Sequence, residues 1–155
     1  MQEKKTAPAV QKEQIEILTN VASSAFVLYM KTYGVHWNYH GPKFFSIHKL
    51  TDEQYRDQAE AVDEIAERIR ALGGTAPLSL NSILEDSSIK ELSGPNTRPD
   101  EMLRSLISSH HKFSAECLAA AKKLEEMDDK FSHDMVVARI GAHDKFAWML
   151  HSHLE

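Results

Sequence analysis

Five side chains between positions 36 and 67 have the types and spacing to hold a metal ion: His36, His48, Asp52, Asp63 and Glu67. Imidazole nitrogen and carboxylate oxygen together suit borderline divalent cations such as iron(II), with zinc, cobalt or manganese able to use the same ligands. His36 and His48 flank a Gly41-Pro42 pair that marks a turn, so their rings can face each other across a helical hairpin. Within one helix each residue turns about 100° and rises about 1.5 Å, which places His48, Asp52, Asp63 and Glu67 inside an arc of about 100° on one face.

The same arithmetic separates them. Asp52 and Asp63 lie about 16 Å apart along the axis, while metal–ligand bonds span about 2 Å. One helix therefore cannot wrap both pairs round one ion. A second copy of that helix, antiparallel about a two-fold axis near Asp57 and Gln58, sets His48 and Asp52 of one chain beside Asp63 and Glu67 of the other. The result is two identical sites, each fed by both chains. A di-iron site inside one bundle instead requires Glu-x-x-His on two helices, and none of the nine histidines has a glutamate three positions before it.

Four long helical patterns must position these residues. The first carries Ile15, Leu18, Ala22, Ala25, Tyr29, Tyr33 and His36 at three- and four-residue steps and spans roughly residues 10–39, up to Gly41-Pro42. The second spans roughly residues 44–72, with Phe44, Ile47, Leu50, Ala59, Val62, Ala66 and Ile69 as its stripe and Gly73-Gly74 as its stop. The third opens at Asn96-Thr97-Arg98-Pro99 and carries Met102, Leu106, Phe113, Cys117, Leu118, Ala121 and Leu124 to about Met127. After Asp128-Asp129 a fourth takes Met135, Val136, Ile140, Phe146, Ala147 and Leu150 to the end. Short turns make each pair an antiparallel hairpin. The connector over 73–98 is too long for a turn, and Ile83, Leu84, Ile89 and Leu92 give it enough apolar surface for a short helix. Two hairpins and one long crossover are the ferritin-like arrangement: an all-α four-helix bundle with a short extra helix in the crossover.

Length and composition set the outer bounds. A chain of 155 residues with 42% hydrophobic and 26% charged residues is expected to form one globular domain over 1–155, with 1–12 as a flexible tail. No apolar run approaches the roughly 18 residues of a membrane span. The opening MQEKKTAPAVQKEQ lacks the apolar stretch of a secretory signal. One cysteine, Cys117, cannot form an internal disulfide and fits a reducing cytoplasm. A net charge of −5 argues against a surface that is basic throughout, as a constitutive nucleic-acid binder would have.

The run from His36 to Gly74, HWNYHGPKFFSIHKLTDEQYRDQAEAVDEIAERIRALGG, resembles the signature of the Dps family, the DNA-binding proteins from starved cells. The resemblance rests on His36-Trp37-Asn38, Gly41, Phe44, His48, Asp52, Tyr55, Asp63 and Glu67-Arg68, and it extends through the helix lengths to the closing AWMLHSHLE. It implies a dodecameric hollow shell whose ferroxidase sites lie between two-fold-related subunits. His36, His48 and Asp52 would come from one subunit, Asp63 and Glu67 from its neighbour. The implied activity is oxidation of Fe(II), preferably by hydrogen peroxide, with Fe(III) stored as mineral inside the shell and DNA and cell protected from oxidative stress. Each iron supplies one electron and peroxide accepts two, so paired oxidation yields water rather than hydroxyl radical.

The resemblance also assigns outer roles. Trp37 could donate an electron to a stray oxidising equivalent, or simply pack at a helix end. The mineral-nucleating acids that follow the second histidine in the family are not matched, because Lys49 stands there and only Asp52 and Glu53 remain. Glu125, Glu126, Asp128, Asp129 and Asp134 cluster where the family has acidic three-fold pores, with Asp129 and Asp134 the candidate pore residues. A solvated helix end accounts for the same charges. His110-His111, His133, His143, His151 and His153 form no recognisable ligand set and are expected in solvent or at interfaces. Lys4, Lys5 and Lys12 are the candidate DNA contacts, although three lysines against two glutamates leave residues 1–14 at only +1.

Two other functions compete with the ferroxidase. A nucleoid-associated DNA-compacting protein would treat the metal site as secondary and would lose DNA binding without its tail. A helical assembly with structural zinc would bind zinc tightly and turn over no iron, yet such sites usually use cysteine, and this chain has one.

Overall fold

The computed structural model describes residues 7–92 and 94–155. Among these residues five helices follow one another: α1 (Pro8–Asn38), α2 (Phe44–Ala71), α3 (Leu80–Asp86), α4 (Pro99–Glu126) and α5 (Lys130–His151). The described residues contain no strand. α1 packs on α2, α4 on α5, and the hairpins join through α1–α4 and α2–α5 contacts, with α3 laid against α1.

Local chemistry fixes the ends of these helices. Pro8 and Pro99 occupy first-turn positions that lack intrahelical acceptors in any case. Glu101 reaches back to the Arg98 backbone N–H at 3.2 Å. Ser79 accepts from the Ser82 N–H at 3.2 Å to start α3, and Asp129 accepts from the Ser132 N–H at 3.1 Å to start α5. At the end of α2 the N–H of Gly74 returns to the Ile69 carbonyl at 2.9 Å, with Gly73 at φ 82°. A Cβ on Gly74 would stand 2.7 Å from the Ile15 side chain, so this stop also lets α1 approach.

The inner stripes meet in one core that includes Leu18, Leu28, Ile65, Leu106, Phe113 and Leu150, all essentially inaccessible. Each such side chain contributes on the order of 2 kcal/mol relative to exposure. Polar contacts pin the crossover to this core. The Lys31 ammonium, its pKa lowered by burial, donates to the Lys90 carbonyl at 3.1 Å and to Ser109 at 2.8 Å. Glu116, its pKa raised by burial, accepts from Ser24 at 3.0 Å and from Ser88.

Two expectations change. α1 begins at Pro8, so residues 8–12 of the expected tail are helical. Pro8 suits the first helical turn, and α1 then runs to Asn38 through one interior glycine, Gly34. His110 and His143 are not solvent or interface residues but lie in the core at 0% and 1% exposure.

Candidate metal centre

His36 closes α1 and His48 opens α2, and the short turn between these helices brings their imidazoles face to face. The ring centroids are 3.8 Å apart and the planes differ by 19°. His36 Nδ1 donates to the His48 carbonyl at 2.9 Å, and His48 Nδ1 donates to the His36 carbonyl at 3.0 Å. A carbonyl can only accept, so each ring in its neutral form carries its proton on Nδ1 and keeps a lone pair on Nε2. Backbone carbonyls holding Nδ1–H are the usual support for an imidazole that ligates through Nε2. Thr51 lies 3.3 Å from His36 Nδ1, and the Phe44 ring is 5.1 Å from His48.

Asp52 sits one turn beyond His48. Arg56 holds it at 3.0 Å through Nε and 3.2 Å through Nη2, and Tyr55 donates to it at 2.8 Å. Those hydrogen bonds, Arg56 first and then Tyr55, lower its carboxyl pKa to about 2, so it stays an anion. The bond to Asp52 in turn pushes the Tyr55 phenol up to about 12. A cation at Asp52 competes with a guanidinium that is 66% exposed and free to swing into solvent. Tyr55 and Arg56 were missed as supports, although their i+3 and i+4 spacing from Asp52 is the signal that finds such partners.

Asp63 and Glu67 stand exposed on α2, one turn from each other. Among the described residues neither carboxylate has a hydrogen-bond or ion-pair partner. The next residue, Arg68, is engaged elsewhere, bonding Asp129 at 2.9 Å and Ser132 at 2.8 Å. Among the described residues, no three His, Cys, Asp or Glu side chains of one chain stand close enough to hold a metal. Of the five candidates the structure brings the His36 and His48 rings together, with Asp52 one turn further along α2 and Asp63 and Glu67 apart from them on the same helix.

The outer candidates divide. Trp37 is 56% exposed and packs 4.1 Å from Tyr33, which stacks 4.2 Å from Tyr55. A continuous aromatic path therefore leads from Trp37 to the phenol bound to Asp52. Asp129 is buried at 6%, where it caps α5 and pairs with Arg68. Both contacts go to Oδ1, and Oδ2 is buried with no hydrogen-bond partner among the described residues, unlike the carboxylate of an open pore acid. Asp134 is exposed and accepts from His133 at 2.9 Å. Lys12 is exposed on α1 beside Glu13 and Glu16, whereas Lys4 and Lys5 lie outside the described residues. Lys49 extends over the Phe45 ring, 5.9 Å from its centroid.

Comparison with known proteins gives the same architecture. The ferritin-like domain family matches residues 15–155. With its two hairpins, its long crossover and this match, the chain is a ferritin-like protein. The DNA protection during starvation protein of Brevibacillus brevis is 32% identical over 147 residues, covering 95% of this chain and 98% of the relative. The crystal structure of a Dps protein from Bacillus brevis superposes with a TM-score of 0.90 at 32% identity, covering 96% and 99% of the two chains. Dps from Staphylococcus aureus superposes at 0.88 with 31% identity, covering 94% and 97%. The chain belongs to the Dps family.

Proposed function

We propose that this protein is an iron-sequestering ferroxidase whose sites form between two-fold-related subunits of a dodecameric shell. The observation that carries the reading is the reciprocal histidine pair. Both Nδ1 protons are held on carbonyls, both Nε2 lone pairs are available, and an ionised Asp52 lies one turn away. The set suits Fe(II) but is incomplete on its own, and Asp63 with Glu67 of a neighbouring chain would complete it. Iron is substrate and cargo here. Zinc or another divalent ion would occupy the same ligands as a competitor.

Hydrogen peroxide is the preferred oxidant in this reading. Two Fe(II) ions give one electron each, the O–O bond takes both electrons and breaks, and two protons complete two water molecules. The chain's own groups hold the two ions near one oxidant, keep the imidazoles in the ligating tautomer and hold Asp52 as an anion. Trp37, Tyr33 and Tyr55 would supply an electron to an oxidant left with one iron. Fe(III) then hydrolyses to mineral in the shell, with Asp134 the remaining pore acid on the exposed surface. DNA protection, which the names of the relatives state for those proteins, would follow here from removing iron and peroxide in the cytoplasm. Direct contact through Lys4, Lys5 and Lys12 is the alternative, and it predicts salt-dependent DNA retardation lost on deletion of residues 1–12.

Stopped-flow oxidation of Fe(II) bound to metal-free protein tests the reading. Fast oxidation by peroxide at about two irons per peroxide, and slow oxidation by oxygen, is expected from the electron count. No acceleration over protein-free iron by either oxidant would overturn it.

A further inference from the structure

The middle of the bundle holds polar groups that the shared site does not use. Gln54 and Gln58 lie on the inner stripe of α2 at 0% and 1% exposure. All four of their amide nitrogen and oxygen atoms are buried with no hydrogen-bond partner among the described residues. His110 on α4 is 0% exposed, and its Nε2 is equally without a partner. Buried amides and ring nitrogens are nearly always hydrogen-bonded, so five such atoms call for an occupant.

The register brings them to one level. α2 and α5 run antiparallel, pinned by Arg68 to Asp129 and Ser132 and by Arg139 to Asp57. Gln58 follows Asp57 directly, and Gln54 is one turn before Gln58. Arg139 also reaches His143 Nε2 at 3.2 Å, and His143 Nδ1 meets His110 Nδ1 at 2.9 Å. The Phe113 ring stands edge-on to His143 at 4.6 Å, and the Phe146 ring edge-on to His110 at 5.8 Å.

These contacts determine where the protons are. A guanidinium only donates, so His143 Nε2 accepts and the His143 proton is on Nδ1. That proton is donated to His110 Nδ1, which leaves the His110 proton on Nε2. His110 therefore presents an N–H donor into the interior at the level of two glutamine amides, each offering both a donor and an acceptor. A cation fares badly here. Ligation at His110 Nε2 would reverse both tautomers and turn a His143 N–H against the Arg139 N–H. Arg139 and the buried Lys31 also set positive charge near the pair.

We infer that the bundle centre, between the Gln54 and Gln58 amides of α2 and the His110–His143 pair of α4 and α5, is a closed site for ordered water, built to accept a neutral ligand that both donates and accepts hydrogen bonds and to exclude divalent cations. This site lies within one chain and is independent of the shared ferroxidase reading. A high-resolution crystal structure of the full chain soaked in cobalt(II), with data at the cobalt edge, tests it. The expected result is a non-anomalous peak within about 3.2 Å of His110 Nε2 and of a Gln54 or Gln58 amide, with no cobalt signal there. A cobalt peak on His110, or no density beside the amides, overturns the inference. Gln58→Met gives a second check, because removing one partner of a bound water lowers the thermal midpoint of the assembly. An unchanged or raised midpoint means the amide was dry and overturns it equally.

Discussion

Each hairpin of the bundle carries a histidine pair, and the two pairs are joined in different ways. Between α1 and α2, each Nδ1 of His36 and His48 is held by the other residue's carbonyl, so the rings stack and both Nε2 atoms are left as acceptors. Between α4 and α5, the Nδ1 atoms of His110 and His143 bond to each other, and Arg139 occupies the remaining acceptor. The first pair lies near a hairpin end beside an ionised Asp52; the second is enclosed by Phe113, Phe146 and a guanidinium. The residue type is the same in both, with ring centroids 3.8 Å apart in the first pair and 5.0 Å in the second. The partner of Nδ1 decides whether a histidine pair offers lone pairs to a cation or is committed to an internal hydrogen-bond chain.

The largest break in this contrast comes from the acids proposed to complete the first pair. Replacing Asp63 and Glu67 together by alanine should leave the assembly intact by size-exclusion chromatography. It should slow peroxide-driven oxidation by more than about 100-fold, beyond what loss of an outer-shell support costs. Unchanged rates would remove α2's second set from the site.

Acid should act on the other pair. Burial lowers the His110 pKa from 6.5 to about 3 and pushes His143 well down as well. Below about pH 6.5 the unfolded chain binds protons that the folded chain refuses, so stability is complete above that pH and falls as pH drops towards 3. For His110 alone the slope is about 1.4 kcal/mol per pH unit, or about 2 kcal/mol between pH 6.5 and 5. Thermal midpoints should fall over this range in the parent and less steeply in His110→Gln. A midpoint flat with pH would mean that the buried pair is not held neutral.

Smaller effects sharpen the picture around the first pair. His48→Ala removes one imidazole from a shared set and should slow oxidation by about 10-fold, less than the acid double variant does. Tyr55→Phe removes one hydrogen bond from Asp52, worth about 1 kcal/mol or about 5-fold. A loss as large as that of the acid variant would make the phenol a direct participant rather than a support.

Most of the fold was legible because apolar periodicity and Gly/Pro stops are local signals. α2 runs from Phe44 to Ala71 against an expected 44–72, and the helix expected around Ile83 and Leu84 is Leu80–Asp86. Half of the candidate site was legible in the same way, since i, i+4 and i+11 spacings fix a helix face. The polar interior was not. Ala59 stood in the expected inner stripe yet is exposed, whereas Gln54 and Gln58 are inside. A pattern built on apolar residues passes over a buried amide. His110 and His143 are 33 positions apart, and only the α4–α5 register joins them. The burial of Asp129 likewise depends on Arg68 arriving from α2, a contact that acidic clustering in sequence cannot reveal.

Subunit complementation tests the central claim, a site shared between chains, most directly. One variant carries His36→Ala and His48→Ala, the other Asp63→Ala and Glu67→Ala; each alone should be nearly inactive with peroxide and Fe(II). Dissociated, mixed in equal amounts and reassembled, half of the two-fold pairs are mixed, and each mixed pair holds one intact site of two. The account predicts recovery to about a quarter of the parent rate, as two-fold pairing requires. A mixture no more active than its parts, at full assembly, would contradict it.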